Sequence, residues 1–205
     1  MFSVFSVVKS LLKKMILYLH GFRSSPLSSK AQQCAQTLAA MGRGNEFICP
    51  QLSAEPAQAW QQCLDLIAVH GTPQAVIGSS LGGFYATRVA EHTGCRAVLL
   101  NPAIHPERDL ANEVGELTCF HTQEKFVFRP EYLAQLQAMS PATITRPERY
   151  LLIAATGDEV LDWHEMVTRY AGAQQIVIAG SSHALEEFPE YLLRILQFCG
   201  VPGHD

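Results

Sequence analysis

The chain has 205 residues, of which 48% are hydrophobic and 17% charged, enough for one sizeable core and inconsistent with a disordered chain. A formal net charge of -4, with no basic run interleaved by aromatics, points away from nucleic acid and from an anionic membrane surface. The six cysteines are scattered and form no CxxC pair, a pattern that suits reduced, buried thiols in a cytoplasmic protein better than a disulfide framework or a zinc site.

Residues 1–14 read MFSVFSVVKSLLKK. Their charges come after the apolar stretch rather than before it, which is the reverse of a secretory signal. The segment is read as a short amphipathic extension ahead of a domain spanning 15–205. No run approaches the ~18 apolar residues that a membrane span requires.

Five short apolar runs then recur: Ile16-Leu17-Tyr18-Leu19, Ala75-Val76-Ile77, Ala97-Val98-Leu99-Leu100, Leu151-Leu152-Ile153-Ala154 and Ile176-Val177-Ile178-Ala179. They are continuous rather than alternating, as strands buried on both faces of a parallel sheet must be. A weaker sixth candidate is Glu46-Phe47-Ile48-Cys49. Helical segments fall between them. Ser29 with Gln32 resembles a capping box opening a helix over 30–41 that Gly42 ends. Ser53 or Glu55 with Pro56 opens another, reaching about His70. Further helices are predicted over 81–92, 161–170 and 184–198. This alternation implies βαβ units and a doubly wound sheet with helices on both faces. Residues 103–147 carry no strand-like run, and read either as a short helical insertion covering the site as a lid or as an excursion packed on the sheet edge.

The chemistry centres on Ala75-Val76-Ile77-Gly78-Ser79-Ser80-Leu81-Gly82-Gly83. An apolar strand runs straight into Gly-x-Ser-x-Gly and a helix follows at once, the context of a nucleophile elbow with Ser80 as nucleophile. The alternative is a plain Gly/Ser turn. A serine needs a base held by a third group, in chain order serine, acid, histidine for this arrangement. Asp158 follows the run ending Ala154-Ala155, and His183 follows the run ending Ala179, so both fall at carboxyl ends of predicted strands. Glu159 and Asp162 are nearby alternatives for the acid, although Asp162 better caps a helix starting near Trp163. An oxyanion site needs two N–H donors. Leu81 supplies one, and Phe22 in His20-Gly21-Phe22 the other. His20 is read as a brace of that loop and not as the base. Gly21 and Arg23 are the candidate substrate contacts, with Arg23 either attracting an acidic group on the substrate or pointing to solvent.

These strings resemble the YqiA-like bacterial esterases, a small family of the α/β-hydrolase fold. The likeness rests on Tyr18-Leu19-His20-Gly21-Phe22 with Ser24-Ser25-Pro26, Gly78-Ser79-Ser80-Leu81-Gly82-Gly83, Asn101-Pro102-Ala103, Thr156-Gly157-Asp158-Glu159-Val160-Leu161-Asp162 and the His183 loop. It implies hydrolysis of carboxylic esters, or of acyl-CoA thioesters, in the cytoplasm without metal or cofactor. It also implies a Ser80, Asp158 and His183 triad acting on a small-molecule substrate. A catalytically silent scaffold that binds a small molecule or a protein is the competing expectation.

Overall fold

The computed structural model describes residues 14–141 and 143–202, so the predicted extension lies outside the described residues except for Lys14. Six strands form one sheet: β1 (Ile16–Leu19), β2 (Phe47–Ile48), β3 (Ala75–Ser79), β4 (Arg96–Leu100), β7 (Tyr150–Ala155) and β8 (Gln174–Ile178). Their order is β2-β1-β3-β4-β7-β8, and every pairing is parallel. Such a sheet must be covered on both faces, and the side chains divide accordingly. Ile16, Tyr18, Ile77, Val98, Leu100 and Ile153 meet α1 (Ser29–Ala40) and α7 (Phe188–Phe198) on one face. Leu17, Leu19, Val76, Leu99 and Leu152 meet α2 (Pro56–His70), α3 (Leu81–Thr93) and α6 (Trp163–Arg169) on the other. This is the α/β-hydrolase arrangement. Ile77 and Leu99 are wholly buried, so truncating either to alanine costs about 2–5 kcal/mol.

The order in which strands are added reverses beside β1, whose successors β2 and β3 lie on its two sides. In a doubly wound sheet that reversal opens a crevice at the carboxyl ends of the strands, and ligands bind there. The loops after β1 and β3 flank it.

Three local expectations are corrected. The capping box does not form: the helix begins at Ser29 after Ser28, and the Gln32 side chain instead donates to the Pro26 carbonyl. The last helix begins at Phe188, not at 184, because Leu185 turns the chain through φ 52° and Pro189 suits only a first helical turn. Finally, residues 103–147 do contain strands. After α4 (Pro106–Asp109), β5 (Gly115–Thr118) and β6 (Lys125–Phe128) form an antiparallel hairpin, and α5 (Pro130–Met139) follows. The hairpin is half-exposed and short, so it lacks the apolar run that marks the main strands.

Candidate active site

The first element of the site is the junction between β3 and α3. Ser80 takes φ 55° and ψ -123°, a region strained for a residue with a Cβ. The surrounding backbone holds it there. Ser80 N–H donates to the Leu100 carbonyl at 3.0 Å, and the Ser80 carbonyl accepts from Gly83 N–H at 2.8 Å and Ala103 N–H at 3.0 Å. Gly82 explains why the turn can be this tight. A Cβ there would lie 1.9 Å from the Leu19 carbonyl oxygen and 2.7 Å from that of His20, so only glycine lets α3 approach β1. Leu81 is the first residue of α3, and its N–H therefore lies ahead of the helix's own hydrogen-bond ladder.

The loops after β7 and β8 bring Asp158 and His183 to this serine. His183 Nε2 lies 3.1 Å from Ser80 Oγ, and His183 Nδ1 lies 2.8 Å from Asp158 Oδ2. The other carboxylate oxygen, Oδ1, accepts from Val160 N–H at 2.8 Å and Leu161 N–H at 2.9 Å. The Asp158 side chain is fully buried, so these bonds leave it one orientation. With Nδ1–H donating to the carboxylate, Nε2 carries the lone pair that faces the serine hydroxyl. Of the alternative acids, Glu159 accepts from His183 N–H at 3.1 Å, and Asp162 caps α6 by accepting from His164 N–H.

The loop after β1 closes the third side. His20 is buried; its Nδ1 lies 2.9 Å from the Gly21 carbonyl oxygen and its Nε2 accepts from Leu52 N–H at 3.1 Å. The ring is therefore a brace between two loops, and burial lowers its pKa and keeps it neutral. A Cβ on Gly21 would sit 3.2 Å from Ser80 Cβ and 3.7 Å from Ser80 Oγ, so this backbone runs directly beside the serine. Arg23 does not point freely to solvent. Its Nε donates to the Thr118 carbonyl at 3.1 Å, its Nη1 lies 3.5 Å from Glu113 Oε2, and its guanidinium stacks 4.5 Å from the Phe120 ring centre. In return Phe120 N–H donates to the Arg23 carbonyl at 2.8 Å. The Phe22 ring meets Phe126 and Phe128 edge-on at 6.0 and 5.0 Å. The hairpin is thus fastened to the 20–24 loop.

Ser80, His183, Leu81 and Phe22 share the wall of a cavity of about 680 Å³, whose apolar lining includes Leu110 and Phe188. Its size suits a small organic ligand. A smaller space of about 250 Å³ lies behind the loop, bounded by His20, Gln51, Tyr85 and Phe126. Sequence reasoning missed Lys30, which lines the main cavity and donates to the Ala184 carbonyl next to His183. It also gave no role to Asn101, although a polar residue directly after a buried strand was a usable signal.

Comparison with known proteins agrees with the fold and with the family resemblance. The family model described as "Uncharacterised protein family (UPF0227)", the YqiA family, matches residues 15–200 and bears out the resemblance read from the motifs. The UPF0227 protein Shewana3_2292 of Shewanella sp. strain ANA-3 is 27% identical over 158 residues, 72% of this chain and 78% of that relative. A UPF0227 protein of Shewanella baltica strain OS155 is 23% identical over 175 residues, 79% of this chain and 86% of the relative. Among solved structures, Est1E from Butyrivibrio proteoclasticus with bound ferulic acid superposes with a TM-score of 0.67 at 14% identity, covering 93% of this chain and 90% of its own. Mouse α/β hydrolase domain-containing protein 10 also gives 0.67, at 16% identity, over 90% of this chain and 89% of its own. At such identities the likeness is one of fold.

Proposed function

We propose that this chain, which belongs to the UPF0227 family, is a serine hydrolase that cleaves carboxylic esters through an acyl-enzyme on Ser80. The observation that carries the reading is the unbroken relay from Ser80 Oγ to His183 Nε2 at 3.1 Å and from His183 Nδ1 to Asp158 Oδ2 at 2.8 Å, opening on the main cavity.

As the Ser80 oxygen attacks the ester carbonyl, its proton passes to His183 Nε2. Asp158 holds the ring in the tautomer that can accept it and stabilises the resulting imidazolium. The carbonyl oxygen takes up negative charge and is met by the N–H groups of Leu81 and Phe22, both fixed by backbone rather than by mobile side chains. Collapse of the adduct breaks the bond to the alcohol, which leaves with the proton from His183. Water then enters and attacks the acyl carbon as its proton passes to His183. The bond from that carbon to Ser80 Oγ breaks, His183 returns the proton to Oγ, and the acid leaves. Esters and acyl thioesters share this route. The competing scaffold reading has no use for a buried carboxylate spending three hydrogen bonds to orient one imidazole and its loop.

A fluorophosphonate probe tests the proposal. Native protein is expected to be labelled on Ser80 within minutes, and Ser80→Ala not at all. Native protein that stays unlabelled beside a reactive control esterase refutes it. Turnover of a nitrophenyl ester series against matching acyl-CoAs then separates ester from thioester.

A further inference from the structure

The Asn101-Pro102-Ala103 string follows β4, the strand between the one that delivers Ser80 and the one that delivers Asp158. Asn101 is only 1% exposed and adopts φ 41°, a left-handed backbone that asparagine tolerates better than most residues. Its main-chain N–H donates to the Ile153 carbonyl at 2.9 Å. Its side-chain Oδ1 accepts from Ala155 N–H at 2.8 Å, three residues before Asp158. Its Nδ2 donates in the other direction, to the Ser182 carbonyl at 3.1 Å and the His183 carbonyl at 3.3 Å. Two residues on, Ala103 N–H donates to the Ser80 carbonyl at 3.0 Å.

This one segment therefore bonds to the Ser80 turn, to the His183 loop and to the strand that leads into Asp158. We propose that Asn101 is a positioning residue that sets the His183 loop against the Asp158 strand and so fixes the distances from His183 to Ser80 and Asp158. The inference rests on the serine-hydrolase reading for its catalytic consequence. The side-chain chemistry is specific. A planar amide offers an acceptor on one side and two donors on the other, which matches one N–H and two carbonyls. Aspartate keeps the shape and the acceptor but turns a carboxylate oxygen toward two carbonyl oxygens. A serine has no second donor, and glutamine is one methylene too long. The His183 loop is also tied by Glu159, by Lys30 at the Ala184 carbonyl and by Gly157 N–H donating to the Ser181 carbonyl at 3.0 Å. Glu159 is exposed, whereas the Asn101 amide is buried and harder for solvent to replace.

Asn101→Asp is the diagnostic variant, since it leaves the bond to Ala155 N–H in place and removes only those to the His183 loop. Asn101→Gly, which relieves the backbone and removes both, is the second variant and keeps the test decisive if the first folds poorly. Three readouts are taken on each, per folded molecule as counted by circular dichroism, the last being KM and kcat for a short nitrophenyl ester. The first is the low-field proton NMR signal of His183 Nδ1–H, which reports its bond to Asp158. The second is the rate of fluorophosphonate labelling across pH. Both variants are expected to lose or broaden the low-field signal. Labelling should slow by a factor on the order of 10², as displacement of a catalytic group by about 1 Å implies. KM for a short nitrophenyl ester should change little while kcat falls. A sharp low-field signal and a labelling rate within twofold of wild type would overturn the proposal, even if Tm drops, because that is the behaviour of a merely structural residue. If the wild type itself is never labelled, the hydrolase reading fails, and the NMR signal alone still decides whether Asn101 positions His183.

Discussion

Replacing Arg23 with alanine tests how the hairpin over the site is held. The side chain makes a charged hydrogen bond to the Thr118 carbonyl, a cation–π contact with Phe120 and an ion pair at 3.5 Å with Glu113. The hydrogen bond is the largest contribution, because its donor is charged and the site is part-buried. The stacking contact adds less than 1 kcal/mol or about that much at a half-exposed position. The ion pair adds little, with both side chains partly in water. Set against the rotamer freedom that alanine no longer has to lose, the net loss is about 2 kcal/mol of docking free energy for the hairpin. That corresponds to a roughly 30-fold rise in the fraction of molecules with the hairpin lifted. The aromatic contacts of Phe22 and the bond from Phe120 N–H to the residue 23 carbonyl survive, so the hairpin still docks most of the time. Hydrogen exchange read by mass spectrometry should show peptides from β5 and β6 exchanging roughly 30-fold faster, with β3, β4 and β7 unchanged. Unchanged exchange over residues 115–128 would refute the fastening. So would a uniform increase across the sheet, because the arginine would then be supporting the whole fold.

Asp158→Asn should leave the fold intact and reduce kcat by about 10⁴, since the amide cannot accept from His183 and from two backbone N–H groups at once; turnover of a nitrophenyl ester within tenfold of wild type would contradict this. Gly82→Ala must push α3 away from β1 by more than an ångström, and calorimetry should find Tm lowered by about 10 °C. An unchanged Tm would mean that the close approach is not needed. The lowered pKa of His20 means that the unfolded chain takes up this proton first as pH falls. Its contribution to stability is therefore complete above about pH 6.5 and is lost as pH drops toward the folded-state value. His20→Gln, which keeps an acceptor for Leu52 N–H, should flatten the acid limb of a Tm-against-pH plot, and an equally steep limb would exclude His20 as a cause. Burial pushes the Cys63 and Cys199 thiols up to about 12, so iodoacetamide at mildly alkaline pH should modify half-buried Cys119 well before either. Peptide mapping that finds Cys63 or Cys199 alkylated first would show that the core opens readily.

The sheet was legible from sequence because its strands are buried on both faces. Val76-Ile77 or Leu151-Leu152-Ile153 cannot sit comfortably anywhere else, and the same burial makes the carboxyl ends of those strands easy to find. Ser80, Asp158 and His183 were visible for that reason, each being a polar residue just past an apolar run. The hairpin was not. Gly115-Glu116-Leu117-Thr118 has little strand character of its own, and what holds it is a contact with Arg23, some 95 residues away in sequence. Arg23 itself was read from its neighbours as free or substrate-facing, because a guanidinium carries no mark of the partner it will meet. The failed capping box has a similar cause. Ser29 and Gln32 have the right spacing, but the residue at the cap is Ser28, one position earlier, and the Gln32 side chain donates to the Pro26 carbonyl instead.

The fastening of the hairpin to the 20–24 loop also bears on how this fold can diversify. In the proposed mechanism residue 22 gives its N–H to the reacting carbonyl, while its ring and the next residue's side chain hold the hairpin. The two are one piece of chain. A relative that acquires a longer or shorter cover must therefore revise the turn after β1 at the same time, or keep a cover that no longer seats. Grafting only residues 115–128 from another family member should give a well-folded protein with a poorly shaped site. Grafting them together with residues 21–24 moves the whole exchangeable unit.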